Sequence, residues 1–361
     1  MKKILLISNH FYPYKGGLEN YVLNLAKGLN QNEYEVDVLT YNHKNLASYE
    51  NYYGLNIIRL PCWEILGETY SIPKIFNTEY EKIISKILET KYDVVITNTR
   101  FFTISFLGML LAKKINCKYI HTEHGNKHVI HKNPLVTVLA WIYDQTLGRA
   151  VFSNANIVVG ISKQCVSFAK KMGAKKTKLI YNSINLSEYK KVKTNLQQRL
   201  NISPKTKIIT YVGRLIYAKG IQDLIQATTE MKSVQLIIIG EGPYRQKLEQ
   251  LAKETNQKII FTGELDKQQV IEYLSISDLF VNPSYSEGLP TSVLEAAAIG
   301  VPIIATDVGG TREIIQKNLI KPKDVKELKK TIIKVLKEKQ KKVNLNKFDQ
   351  EINANLFEEL L

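Results

Sequence analysis

At 361 residues, 44% hydrophobic and 23% charged, the chain is sized for two domains and composed like a soluble globular protein, which excludes disordered and fibrous classes. The formal net charge of +16 favours anionic partners in general, whether nucleic acid, membrane or phosphorylated substrate, without choosing among them. No apolar run reaches the roughly 18 residues of a membrane-spanning helix, and Cys62, Cys117 and Cys165, far apart and never in a C-x-x-C pair, speak against a disulfide framework or zinc site and for a reducing, cytoplasmic compartment.

The opening Met-Lys-Lys-Ile-Leu-Leu-Ile-Ser-Asn-His has the basic head of a signal peptide. Its apolar run stops after four residues with no small-residue cleavage site behind it, so it reads as a first β-strand. β-Branched apolar runs predict strands near 2–9, 35–41, 55–61, 93–98, 118–124, 156–162 and 178–183, with helices near 17–30, 74–89, 102–114, 134–150 and 163–171. Continuous apolar strands such as DVVITN, set between helices, predict a parallel sheet covered on both faces. His121, His124, His128 and His131 crowd after the fifth strand, but the extended segment sends His121 and His124 to opposite faces, which argues against a metal site.

After the polar stretch LSEYKKVKTNLQQRLNISPKTK the pattern restarts. Strands are predicted near 207–213, 235–240, 258–263, 278–283 and 301–306, with helices beginning near 219, 243, 267, 290 and 324. The expected fold is α/β: two doubly wound Rossmann-like domains, 1–186 and 187–345, facing each other across a cleft that holds the ligand. A short amphipathic helix in 346–361 follows the Lys-rich KEKQKKVNLNK. The charge is uneven: residues 1–186 hold 23 Lys and Arg against 13 Asp and Glu, a net of +10, and the other 27 and 21 leave +6.

The strand ends of the second half carry the chemistry. Gly213-Arg214, followed by Lys219-Gly220, offers two cations, free backbone N–H groups and a helix start to an anion. Gly240-Glu241-Gly242-Pro243 is a tight turn where backbone approaches a ligand closely. In SYSEGLPTSVLEAAAIGVPIIATDVGG, Glu287 precedes a helix whose first position suits Pro290, and Thr291 and Glu295 share one face of that helix as i and i+4. The surrounding Val293, Leu294, Ala296, Ala297, Ala298 and Ile299 predict burial nearly all round, so the Glu295 carboxylate needs a partner.

The stretch SEGLPTSVLEAAAIGVPIIATDVGG resembles the E-x7-E signature of retaining GT-B glycosyltransferases, family 4 in particular. FYPYKGGLENYVLNLAKGL, HTEHG, IYNSINLSEY, YVGRLIYAKG, IIIGEGP and FTGELDKQQVIEYLSISDLFVNPS extend the likeness over the whole chain. The resemblance implies roles. Arg214 and Lys219 would hold the donor diphosphate beside Gly213 and Gly240, Glu295 would take the ribose hydroxyls, Thr291 would line the same donor site, and Glu287 would meet the transferred sugar. The Gly288 and Leu289 amides would reach sugar or phosphate, the Leu265 main chain the base, Gly16 and Gly17 the phosphates, and His124 the sugar as an active-site histidine. It also implies that the 346–361 helix crosses back onto the first domain. One departure stands out: IIQKNLIKPKDV is shorter than the family's usual loop, which leaves the local sheet edge open to question.

The chain contains no Asp-x-Asp, so side-chain cations and backbone dipoles are expected to stabilise the leaving diphosphate without a metal or other cofactor. The resemblance implies a nucleotide-sugar donor, retention of configuration with the diphosphate as base, and a glycan or lipid-linked acceptor. An anionic membrane is a further expected partner, met peripherally by the first domain, and nucleic acid is not. The rival readings are a nucleotide-sugar epimerase or a phosphorylase on the same fold, the latter without an identifiable pyridoxal-binding lysine, and a non-catalytic basic binder of membrane or nucleic acid. The last accounts for the charge but not for the ordered glycine, cation and carboxylate set.

Overall fold

Lys3–Ile7 (β1) has four of its five residues fully buried, as a strand covered on both faces must. In the computed structural model, which describes residues 1–14, 16–31, 34–65, 70–128, 134–338 and 342–361, the chain divides into two compact units. The first comprises Met1–Asn182 with Glu351–Leu361, the second Ser183–Gln350.

The first unit continues with β2 (Glu35–Tyr41), β3 (Tyr49–Tyr52), β4 (Leu55–Leu60), β5 (Cys62–Ile65), β6 (Tyr70–Pro73), β7 (Val94–Asn98), β8 (Lys118–Glu123), β9 (Ile157–Gly160) and β10 (Thr177–Leu179). Eight of these strands make one sheet in the order β10-β9-β8-β7-β1-β2-β4-β3, parallel except for the β3–β4 hairpin at its edge. That hairpin turns at Tyr53-Gly54, both at positive φ (52° and 79°), as a two-residue type I′ turn requires. β5 and β6 form a separate antiparallel ribbon. Strand order reverses between β1 and β7, where a doubly wound sheet opens its crevice. The helix predicted near 134–150 runs on to Asn154, with a π-helical stretch, Asp144–Gly148, between Pro134–Tyr143 and Arg149–Asn154. His131 lies outside the described residues.

The second unit holds β11 (Lys207–Val212), β12 (Val234–Ile239), β13 (Ile259–Gly263), β14 (Leu279–Asn282), β15 (Ile303–Thr306) and β16 (Leu319–Ile320). All pair in parallel in the order β13-β12-β11-β14-β15-β16, so the switch point lies between β11 and β14. The shortened segment after Glu313 still closes the edge, because Leu319 and Ile320 pair with Ala305 and Thr306. Two boundaries differ from expectation. Lys219 sits in a 3-10 turn, Tyr217–Lys219, and the following helix opens only at Ile221, because Gly220 adopts the left-handed conformation between them. Pro290, at ψ 110°, is the N-cap of helix Thr291–Ile299 rather than its first residue.

Candidate active site

At the switch point of the second unit three glycines remove the Cβ atoms that would hold the strand ends apart. A Cβ on Gly240 would stand 2.1 Å from the Gly213 carbonyl, and one on Gly220 2.1 Å from that of Pro283. The Gly240 amide donates to Gly263 O at 2.8 Å, and the Tyr285 amide to Ala218 O at 2.8 Å. The turn carrying Lys219 is thus seated against the loop leaving β14. A third contact closes the far side of that loop: the Gly310 amide donates to Gly288 O at 2.7 Å, where a Cβ on Gly309 would meet Glu287 O at 2.0 Å.

Held on both sides, Glu287 takes a fixed position. Its Oε1 lies 2.7 Å from Lys219 Nζ, accepts from Ser284 Oγ at 2.6 Å, and meets Asn282 Nδ2 at 3.5 Å. Its side chain is only 10% exposed, so the ion pair is screened far less than a surface one. Among the described residues the amides of Gly288, Leu289, Thr291 and Ser292 donate to no protein group, and Pro290 provides no side-chain cap. Free amides at a helix start, beside a lysine, constitute an anion-binding surface. Arg214, on the loop after β11, is exposed and among the described residues makes no ion pair.

Inside that helix the Glu295 carboxylate accepts from the Tyr189 hydroxyl at 3.2 Å. Burial pushes its carboxyl above the ordinary range, and the Tyr189 hydrogen bond and the Lys267 charge offset this in part. Thr291, one turn earlier, opens the helix, and Leu265, just past Gly263, is half-buried against the Ile239 cluster.

In the first unit Gly16 and Gly17 stand at the start of helix Gly17–Gln31, and a Cβ on Gly16 would meet Glu19 Oε2 at 2.3 Å. His124 follows β8, with Nε2 3.2 Å from Asn98 Oδ1 and its ring edge-on to Tyr21 at 4.7 Å. Asn98 Nδ2 donates to Ile7 O at 3.1 Å, which leaves Oδ1 as the acceptor. His124 therefore carries its proton on Nε2 and a lone pair on Nδ1. Burial lowers its value to about 4, so it is neutral at physiological pH.

His121 and His128 serve a buried network. His121 Nε2 lies 3.2 Å from Glu123 and His128 Nδ1 2.6 Å from Asp144, and Arg100 joins both carboxylates at 2.8 and 3.1 Å. The Arg100 guanidinium, after the burial that opposes its charge, is the largest influence holding the Glu123 carboxyl down at about 2. Among the described residues no three His, Cys, Asp or Glu side chains gather as a metal site would need. Sequence reasoning assigned no role to Tyr189, Ser284, Asn282, Asn98 or Arg100. Tyr189 and Ser284 lie within quoted motifs, but only the fold shows which carboxylate each one meets.

Residues 15–188 match the family model described as Glycosyltransferase Family 4, and residues 192–351 that of Glycosyl transferases group 1. An uncharacterized glycosyltransferase of Methanocaldococcus jannaschii is 29% identical over 374 residues, covering 99% of this chain and 94% of the relative. The putative teichuronic acid biosynthesis glycosyltransferase TuaC of Bacillus subtilis is 36% identical over 230 residues, 62% of this chain and 56% of that one. Among solved structures, Anabaena HepE in complex with UDP-glucose superposes with a TM-score of 0.79 at 18% identity, covering 100% of this chain and 99% of that one.

Proposed function

This chain belongs to glycosyltransferase family 4 and has the GT-B fold, and from that premise we propose that it moves a sugar from a nucleotide-diphosphate sugar onto a glycan or lipid-linked acceptor, with retention of configuration and without a metal. The observation that carries the reading is the Lys219–Glu287 pair at 2.7 Å, seated beside the free amides of Gly288 and Leu289 at the β11–β14 switch point. Lys219 and Arg214 take the diphosphate, the amides a phosphate or sugar oxygen, Glu295 the ribose hydroxyls and Glu287 the transferred sugar.

As the anomeric C–O bond to the diphosphate breaks, the acceptor oxygen bonds the same face of that carbon. The acceptor's proton passes to the departing phosphate oxygen, so no carboxylate nucleophile is needed. The cations and amides are fixed before reaction and stabilise the charge that grows on the leaving group. Neutral His124 offers its Nδ1 lone pair to a sugar hydroxyl. A nucleotide sugar fits the ligand in the HepE structure, and the name of TuaC supports an acceptor in cell-surface polysaccharide synthesis.

Thermal-shift screening against UDP-, GDP- and other nucleotide sugars, followed by turnover of the best ligand, tests the reading. Stabilisation by one nucleotide sugar and acceptor-dependent release of its nucleoside diphosphate are expected. Consumption of the sugar without any acceptor would favour an epimerase instead.

A further inference from the structure

Glu287 and Glu295 are held in different ways. Oε1 of Glu287 is fixed by Lys219, Ser284 and Asn282 together. Glu295 accepts a single hydrogen bond among the described residues, from the Tyr189 hydroxyl at 3.2 Å. The last torsion of a glutamate is broad and nearly two-fold, so apolar packing does not set the direction of its lone pairs. Its buried neighbours Val293, Leu294, Ala296 and Ala297 have no side-chain donor to offer. One phenol therefore sets the plane of the Glu295 carboxylate.

Tyr189 is itself tied down on both sides, within the second unit. Before it, the Ile184 amide donates to Phe348 O at 3.1 Å and the Gln350 amide to Ile184 O at 3.1 Å. Asn185 Oδ1 caps the 3-10 turn Leu186–Glu188 by accepting from the Ser187 amide at 3.2 Å. After it, the Val192 amide donates to Ser275 Oγ at 3.0 Å. Lys267, paired with Glu188, stands 5.6 Å from the centre of the Tyr189 ring. Lys267 opens helix Lys267–Ser275 two residues past Leu265. The ring thus bridges the segment assigned to the base and the helix assigned to the ribose.

Toward this carboxylate the hydroxyl acts only as a donor. Burial first, and then the Glu295 charge, push its value above that of an ordinary tyrosine, so it keeps its proton at physiological pH. It occupies Oε1 and leaves Oε2, which accepts from no protein group among the described residues and is not sealed from solvent. A donor on one oxygen turns the plane so that the other, with the second lone pair of the first, faces outward to a pair of hydroxyls. A cis-diol is such a pair.

We propose that Tyr189 is a positioning residue that sets the Glu295 carboxylate for the ribose diol and so makes the donor site select ribonucleotides. The proposal rests on the ribose assignment of the preceding section and adds the group that makes it selective. Tyr189→Phe deletes only the hydroxyl and keeps the ring beside Lys267, so it is expected to fold, as melting curves check. Calorimetry uses UDP, GDP and ADP, each beside its dideoxyribose analogue. Wild type is expected to prefer its best ribonucleotide over the matching analogue by about tenfold or more. Tyr189→Phe is expected to weaken that ribonucleotide by about three- to tenfold and the analogue by less than about twofold. The pH below which ribonucleotide affinity falls should move up in the variant, because a donor that favours the charged carboxylate is lost. A merely structural role would weaken both ligands alike and leave that pH where it was.

Discrimination retained in Tyr189→Phe overturns the proposal, and if Glu295→Gln has lost it, the ribose assignment still stands. A wild type that does not discriminate, or binds none of the three ribonucleotides, removes that assignment and the proposal with it. Tighter ribonucleotide binding by Tyr189→Phe also overturns the proposal, because the hydroxyl would then compete with the ribose. Equal weakening of ribonucleotide and analogue assigns Tyr189 to the fold alone.

Discussion

Glu295 costs the free protein stability. Its carboxyl value is raised in the folded state, so its contribution is favourable at low pH and is lost as pH rises through that raised value. Glu295→Gln is therefore expected to melt at or above the wild-type temperature at pH 8, with the difference shrinking as the pH falls. The same variant loses charge-assisted hydrogen bonds of roughly 1.5–3 kcal/mol, so calorimetry should show nucleoside diphosphate affinity falling by about tenfold to a hundredfold. Glu287→Gln is expected to spare that affinity and to lower turnover, since its assigned contact is the sugar. Equal affinity of wild type and Glu295→Gln would remove the ribose assignment. His124 has the opposite sign. Its value of about 4 against 6.5 in the unfolded chain means that stability present above pH 6.5 is lost as pH falls toward 4. The urea midpoint of His124→Asn should fall less steeply over that window, and an unchanged slope would assign the loss to other groups. Glu295 was legible in sequence because a charge within an apolar helix conflicts with its surroundings. Tyr189 was not, because its meeting with a residue 106 positions away depends on the tertiary fold.

The strand-end loops are where glycine matters most. Gly220→Ala combines a φ of 65° with a clash against Pro283 O at 2.1 Å, and is expected to cost about 2–4 kcal/mol and to weaken nucleotide binding by displacing Lys219. Gly173 provides the control: its φ is 99° but nothing lies within 4 Å of a Cβ, so Gly173→Ala should cost about 1 kcal/mol and leave binding unchanged. Paired denaturation and calorimetry check both, and equal effects would mean that backbone strain rather than the close approach decides. The long parallel strands were readable from continuous apolar runs such as Val94–Asn98. The β3–β4 hairpin was not. Its first strand, Tyr-Glu-Asn-Tyr, has no buried alternation, and Tyr-Gly is a weak turn signal beside Asn-Gly. Pro290 was misplaced by one position because a proline suits both the cap and the first turn.

For the whole molecule, the proposed mechanism predicts that exhaustive chelation leaves turnover unchanged. Activity lost to a chelator and restored by magnesium or manganese would replace the amide and lysine cradle with a metal. The chain's path predicts a different kind of dependence. Residues 351–361 belong to the first unit, with Phe357 and Leu360 buried and Lys2 Nζ donating to Leu361 O at 2.8 Å. Phe357→Ala is expected to cost about 3–5 kcal/mol, read as a lower melting temperature. During synthesis, then, residues 183–350 can complete their core as soon as they leave the ribosome, while the unit begun first must wait, one piece short, until residues 351–361 have emerged. A released chain truncated after residue 350 should resist protease across residues 183–350 while residues 1–182 are still being cut.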